Sequence, residues 1–417
     1  MGVTIAAHAA PLPPTILGLD GRPGSRWPGG SWAPPRARLK SVWTGVGGAP
    51  THAFSRLACT KRSFAVAFIG LPLNFCDGVM LFQHVSIASI VHIDAPRPLS
   101  SADINVRLRP TLDRLGIRSD VLGDIAGIYS RRFWHEGTRA SDVATAAAEK
   151  ALAELDIPRD KIGLLVNTSV SRDYLEPSTA SIVSGNLGLS DTCQNFDLAN
   201  ACLAFISGMD IASRMIERGE IEYALVVDGE TANLAYDNTL ARMAEPDVTE
   251  DQFRQEMATL TLGCGAAAMV LSRSELTPDA PRYKGGVTRA ATQWNGLCRG
   301  NLDRMVTDTR TLLIEGIKLA QKTFAVAKIA LGWAVDELDE FVIHQVSQVH
   351  TQALIKAFGI DQKKVLTIFA EYGNIGPASV PIVLSKLKEM GRLRKGQRIA
   401  LMGIGSGLNC SMAEVIW

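Results

Sequence analysis

Two pairs of short, wholly apolar runs recur at one interval, and this repetition constrains the fold more than any other feature of the chain. Ile162-Gly163-Leu164-Leu165-Val166-Asn167 is followed roughly 60 residues later by Tyr223-Ala224-Leu225-Val226-Val227-Asp228. Phe341-Val342-Ile343-His344 is followed at a similar interval by Arg398-Ile399-Ala400-Leu401-Met402-Gly403. A further apolar run closes each pair, Ala266 to Leu271 in the first and Ser411 to Trp417 in the second. Runs this short, with no polar alternation, are strands buried on both faces, and the amphipathic segments between them are helices that cover those faces. The expectation is a duplicated α/β protein, one half over residues 80–272 and the other over 273–417, with helices stacked between them.

Residues 1–79 do not share the pattern. They hold nine of the nineteen prolines, three of the seven tryptophans, and eight Lys and Arg against two Asp and Glu. Their net charge is therefore +6, and the rest of the chain carries −5. The stretch Phe64 to Leu73 is apolar, but it is too short to cross a bilayer and is broken by Gly70 and Pro72. A secretory signal would place its apolar region nearer the start. Since Met80 opens a strand-like run, Leu81 to Ile87, the expectation is that natural translation begins there; a disordered or targeting extension is the competing reading.

A chain of 417 residues, 47% apolar and near neutral, can bury a large core without help from metal or disulfide, and its charge balance offers no nucleic-acid footprint. The seven cysteines (Cys59, Cys76, Cys193, Cys202, Cys264, Cys298, Cys410) show no Cys-x-x-Cys or zinc-like spacing, and their odd number argues against a disulfide framework. The expected location is the cytoplasm, with no transmembrane segment, no metal and no bound cofactor. Gly403-Ile404-Gly405-Ser406-Gly407 looks like a dinucleotide loop, but Leu408 replaces the third glycine and no helix follows before the chain ends.

Three residues stand where chemistry is done. Cys202 lies between an apolar run and an amphipathic segment, Leu203 to Arg218, with apolar residues at helical spacing. A thiol on a first helical turn sits beside unpaired N–H groups and the positive dipole end, which predicts a lowered pKa. His344 ends a β-type run, and Asn374 lies in the Gly/Pro-punctuated turn Gly373 to Pro377, before a helix expected over Ser379 to Met390. Singly, each has an ordinary structural reading: a buried thiol, a structural histidine, a turn asparagine.

Together and in this order, from about Met80 to Trp417, they resemble the Cys-His-Asn constellation of the thiolase superfamily, in its β-ketoacyl synthase III branch. That resemblance implies a five-layered αβαβα core. It also implies that the backbone of Gly403 to Gly407 lies against the nucleophile. The segment Ser169 to Ser181, the Ala201-Cys202-Leu203-Ala204-Phe205 run and the closing Gly403 to Ser411 are similar to OleA-like enzymes, which join two fatty acyl-CoA molecules head to head. His344-Gln345-Val346-Ser347 departs from the His-Gln-Ala-Asn of ordinary synthases III, and Glu176 has no counterpart in them.

The chemistry implied is a Claisen condensation without decarboxylation. Cys202 would take the first acyl group, its own N–H and the backbone N–H of Ser406 holding the oxyanion. His344 and Asn374 would bind the second thioester carbonyl as it becomes an enolate. Decarboxylating synthases generate their carbanion by losing CO2, whereas this reaction needs a base, and Glu176 supplies the carboxylate. In OleA-like enzymes its loop reaches into the partner subunit's site, which implies a homodimer. Long-chain acyl-CoA substrates, the first step of olefin synthesis, and contact with downstream enzymes follow from the same resemblance. Without it, Glu176 reads as a helix cap or a solvated residue. A thiolase would need a second cysteine at Gly403, and Cys410 lies on the wrong side of the loop. A decarboxylating 3-oxoacyl-ACP synthase III remains the alternative, and an inactive acyl-binding scaffold is the reading from another class.

Overall fold

The computed structural model describes residues 78–117, 120–301 and 303–417; the extension expected before residue 78, with its apolar stretch, lies outside them. The repeated runs form the strands expected of them. Ile162–Asn167 and Tyr223–Glu230 pair in parallel, Gly265–Arg273 adds antiparallel to the latter, and Val85–Asp94 adds antiparallel to that. Gln194–Asp197 completes this half in parallel with Ile162–Asn167. In the second half Glu340–Ile343 and Arg398–Gly405 are parallel, and Asn409–Ile416, Arg282–Ala290 and Val79–Leu81 follow, each antiparallel to its predecessor. A parallel pair followed by antiparallel strands is the shared plan. The halves join edge to edge through one residue pair, Ser86 and Arg282, into a ten-stranded sheet.

Five layers result. Helices Ala204–Glu217 and Ser379–Glu389 lie in the middle, where Phe205, Met209, Ile382 and Leu384 pack in one core with Val226 and Met269 of the first half and Val342 and Leu401 of the second. Ala140–Ala153 and Thr179–Leu187 cover the outer face of the first half, and Thr309–Ala330 and Gln348–Phe358 that of the second, each over its own core. Strands between two helical layers have no solvent face, which is why Tyr223–Glu230 is buried at every position and begins with five residues, Tyr223 to Val227, without a charge. Among the described residues no helix is long and apolar enough to cross a membrane.

The start of the fold differs from the expected single strand over Leu81 to Ile87. The ladder breaks at residues 82–84, where the backbone N–H groups of Gln83 and His84 donate to the Glu217 carboxylate at the end of the central helix. The two pieces serve different halves, Val79–Leu81 the second and Val85–Asp94 the first. The sheet also begins before Met80: Val79 pairs with Val287, and the Thr288 N–H donates to Gly78 O at 2.9 Å.

Candidate active site

Cys202 sits in a one-turn helix, Ala201–Leu203, between strand Gln194–Asp197 and the central helix Ala204–Glu217. Entry into the turn requires Ala201 at φ +45, the only non-glycine residue with positive φ among those described. The turn is held from outside: Asn409 Nδ2 donates to Asn200 Oδ1 at 3.1 Å, and Asn200 Nδ2 to Ser207 Oγ at 2.9 Å. Behind it runs the glycine-rich end of strand Arg398–Gly405. A Cβ built on Gly405 would lie 3.4 Å from the Cys202 nitrogen, and one on Gly403 only 2.4 Å from Leu203 Cδ2. The backbone of this strand end thus lies against the Cys202 turn, with little space for a side chain at Gly403 unless Leu203 moves. Ser406 follows in the turn to strand Asn409–Ile416.

The expected lowering of the Cys202 pKa is wrong. Burial pushes the thiol up to about 12, with further upward pushes from Cys298, Glu230 and Asp228; only its own backbone N–H acts the other way. Closing the thiol among protein atoms costs the thiolate more than the helix start returns.

His344 follows strand Glu340–Ile343, its backbone N–H donating to Met402 O at 2.8 Å. Its side chain is buried, and neither ring nitrogen has a hydrogen-bond partner in the protein. Burial first, and His350 second, lower its pKa to about 3, so the imidazole is neutral at physiological pH. A neutral ring can donate to a developing oxyanion without being discharged by it. Gln345, fully buried, fixes the segment: its N–H donates to Ser379 Oγ at 3.2 Å and its Oε1 accepts from Ile368 and Phe369 N–H. Sequence reading quoted Gln345 only as part of a motif, although its amide joins the histidine to the stretch that leads to Asn374.

Asn374 is clamped by backbone: its N–H donates to Thr261 O at 2.8 Å and its carbonyl accepts from Gly263 N–H at 2.9 Å. The approach is so close that a Cβ on Gly263 would lie 2.0 Å from Tyr372 O, and one on Gly373, at φ +65, 2.3 Å from Thr261 O. Asn374 Oδ1 accepts from Gly376 N–H at 3.1 Å, which turns the amide NH2 outward as a donor. The turn Gly376–Ala378 then packs on Ala201–Leu203, bringing the cysteine and asparagine turns together, and Gly403 lies between Leu203 and His344.

Glu176 stands apart from this group. It is exposed on a bend, beside Tyr174 (45% exposed) and Leu175 (92%). The carboxylates near enough to raise the thiol pKa are Glu230 and Asp228, not Glu176. Helix capping does not explain it either. Helix Thr179–Leu187 is capped by Ser178 Oγ, which accepts from Ser181 N–H, and by the Asp197 carboxylate, which accepts from Thr179 and Ala180 N–H at 3.0 and 2.8 Å. Sequence reading missed the buried pair Asp228 and Glu230, which sit in an apolar-looking strand. Both are raised by burial, and Asp228 takes the larger push because the Glu230 charge adds to it. Among the described residues no group of three or more His, Cys, Asp and Glu could hold a metal ion.

Residues 196–282 and 330–417 match the family descriptions 3-oxoacyl-[acyl-carrier-protein] synthase III and its C-terminal domain. The chain is 75% identical over 338 residues to the acyl-CoA:acyl-CoA alkyltransferase of Xanthomonas campestris pv. campestris, spanning 81% of this chain and all of that one. It is 35% identical to the enzyme of the same name from Shewanella oneidensis, again over 81% of this chain and all of the relative. Solved structures of Xanthomonas campestris OleA superpose with a TM-score of 0.80 at 75% identity, covering 81% of this chain and 98% of that one in a cysteine-to-alanine variant and a cerulenin-bound form. Others among them replace one glutamate or one histidine.

Proposed function

This chain belongs to the acyl-CoA:acyl-CoA alkyltransferase family, and from that premise we propose that it condenses two long-chain fatty acyl-CoA molecules without decarboxylation to a 2-alkyl-3-oxoalkanoic acid, releasing both CoA groups. In this reading Cys202 attacks the first thioester and the first CoA leaves with the thiol proton. The oxyanion is met by the N–H groups of Cys202 and Ser406. The carbonyl of the second acyl-CoA lies against His344 and Asn374 Nδ2 while Glu176 takes its α-proton. The enolate carbon then attacks the Cys202 thioester and expels the thiolate. Hydrolysis of the remaining CoA thioester completes the product.

The observation that carries the reading is the position of Glu176. A carboxylate on an exposed loop with Leu175 and Tyr174 beside it, and absent from the charges that act on the Cys202 of its own chain, fits one that enters a partner's site in a homodimer. Support comes from the OleA variants. The replaced cysteine follows the replaced glutamate, and the replaced histidine the cysteine, at the same intervals as Cys202 follows Glu176 and His344 follows Cys202. Two CoA-bearing substrates fit a cytoplasmic enzyme, and the β-keto acid fits a first step toward olefins, handed to downstream enzymes. A decarboxylating synthase would share Cys202, His344 and Asn374 and leave Glu176 idle.

Glu176→Gln tests the choice. Acylation of Cys202 should persist as a burst of one CoA per site, while β-keto product falls by about 10²–10⁴-fold, as for a lost general base. Product formation at wild-type rate would remove Glu176 as the base, and a requirement for a malonyl donor would return the enzyme to the decarboxylating class.

A further inference from the structure

Glu230 ends strand Tyr223–Glu230, and its buried carboxylate lies where the loops of the site meet. Oε1 accepts from the Val170 N–H at 2.6 Å; Oε2 accepts from the Ser171 N–H at 3.3 Å and from Ser171 Oγ at 2.7 Å. Ser171 Oγ in turn accepts from the Thr231 N–H at 2.9 Å. These bonds fix the start of the loop that carries Glu176. Asp197 fixes its end through Thr179 and Ala180, and Asp173 accepts from the Ser141 N–H at 3.1 Å in between. Only the short span of residues 174–177 stands free of these anchors.

The same carboxylate meets the asparagine turn. A Cβ built on Gly376 would lie 3.6 Å from Glu230 Cδ, and the Gly376 N–H is the group that orients the Asn374 amide. The Glu230 side chain thus packs within van der Waals reach of a turn whose φ of +53 at Gly376 already requires glycine, and a displaced carboxylate would take away that support.

We propose that Glu230 is a positioning residue for carbon–carbon bond formation, aiming Glu176 through Val170 and Ser171 and aiming Asn374 through Gly376. This rests on the condensing role given to Glu176 above. If Glu176 serves the partner's site, one Glu230 acts in two sites: the partner's through its loop, and its own through Asn374. Acylation takes place at the Ala201–Leu203 turn with the glycine strand behind it, and there loss of the Glu230 charge, which pushes the Cys202 thiol up, favours the thiolate.

The test is Glu230→Gln, with Glu230→Asp and Ser171→Ala beside it, in the full chain with a single saturated acyl-CoA. Gln has one carbonyl oxygen for three donors and presents an NH2 to at least one of them, so the loop start loses its hold. The CoA burst should be no slower than about a third of the wild-type rate, and faster where loss of the Glu230 charge frees the thiolate, while product falls roughly tenfold to hundredfold, the scale of a small misplacement of reacting groups. Glu230→Asp, which keeps the charge at a shorter reach, should recover part of the product rate. Ser171→Ala, which leaves Glu230 in place, should give a smaller fall with an unchanged burst, and it keeps the test usable if Glu230→Gln does not fold. In a Glu176→Gln background the further fall caused by Glu230→Gln should be smaller than in wild type, because the two act in part through one group. Equal falls in both backgrounds, equal loss of burst and product, or a wild-type product rate would overturn the proposal. Normal condensation by Glu176→Gln alone would instead overturn the reading on which it rests.

Discussion

Desolvation pushes the Cys202 thiol up and the His344 imidazole down, each toward its neutral form, with His344 buried and Cys202 partly exposed. The positions of Cys202, His344 and Asn374 were legible in the sequence because each stands where a regular segment begins or ends, and segment ends are where backbone turns side chains toward one another. The protonation states were not. They depend first on burial and then on Cys298, Glu230 and Asp228 for the thiol and His350 for the imidazole, all of which only the fold brings near. A thiol pushed up to about 12 makes a plain prediction: the thiolate fraction, and with it the rate of Cys202 alkylation by iodoacetamide, should rise about tenfold per pH unit from pH 7 to 10. A plateau below pH 8 would mean a thiolate–imidazolium pair instead. Glu176 was legible only through resemblance, since an exposed glutamate before proline has no physical mark of its own.

At the scale of elements, the apolar runs located the strands of both halves, because burial on both faces favours apolar residues and admits polar ones such as Asp228 and Glu230 only near the strand ends. What the runs could not show is where the chain changes partners. The break at residues 82–84 depends on Glu217, more than a hundred residues away, and it divides one apparent strand between two halves. The clamp on Asn374 was hidden in the same way, since Gly263 and Gly373 are ordinary turn residues until the two segments meet at the Leu262 and Asn374 bridge. Gly263→Ala should test that clamp. Its Cβ has no space beside Tyr372 O, so backbone must yield, at a cost on the order of 1–3 kcal/mol in stability. The parallel bridge between Leu262 and Asn374 would open, and condensation should fall by about 10²-fold because the amide loses its aim. Unchanged turnover in Gly263→Ala would show that Asn374 tolerates displacement.

For the whole molecule, duplication leads the Cys202 turn into one helix of the central layer and the Asn374 turn toward the other, with His344 at the end of a strand of the second half, so the three candidate residues come together only where the halves meet. The fold as described starts at Gly78, and a chain beginning at Met80 would lose the Val79 and Val287 pair and the bond from Thr288 to Gly78. It keeps the pairs of Met80 with Gly286 and Leu81 with Gly285. Such a chain should fold and turn over at the full-length rate, with a loss of about 1 kcal/mol and a melting temperature lower by roughly 3 °C or less. A larger fall would give the preceding residues a structural part. The central claim concerns the reaction itself, and one measurement bears on it most directly: incubation of the full chain with a single saturated long-chain acyl-CoA, no malonyl donor present, and the product identified by mass. The account predicts a β-keto acid containing all the carbons of both acyl groups, with two CoA released for each molecule formed. Release of CoA with free fatty acid as the only product, or condensation only after malonyl-carrier protein is added, would contradict it.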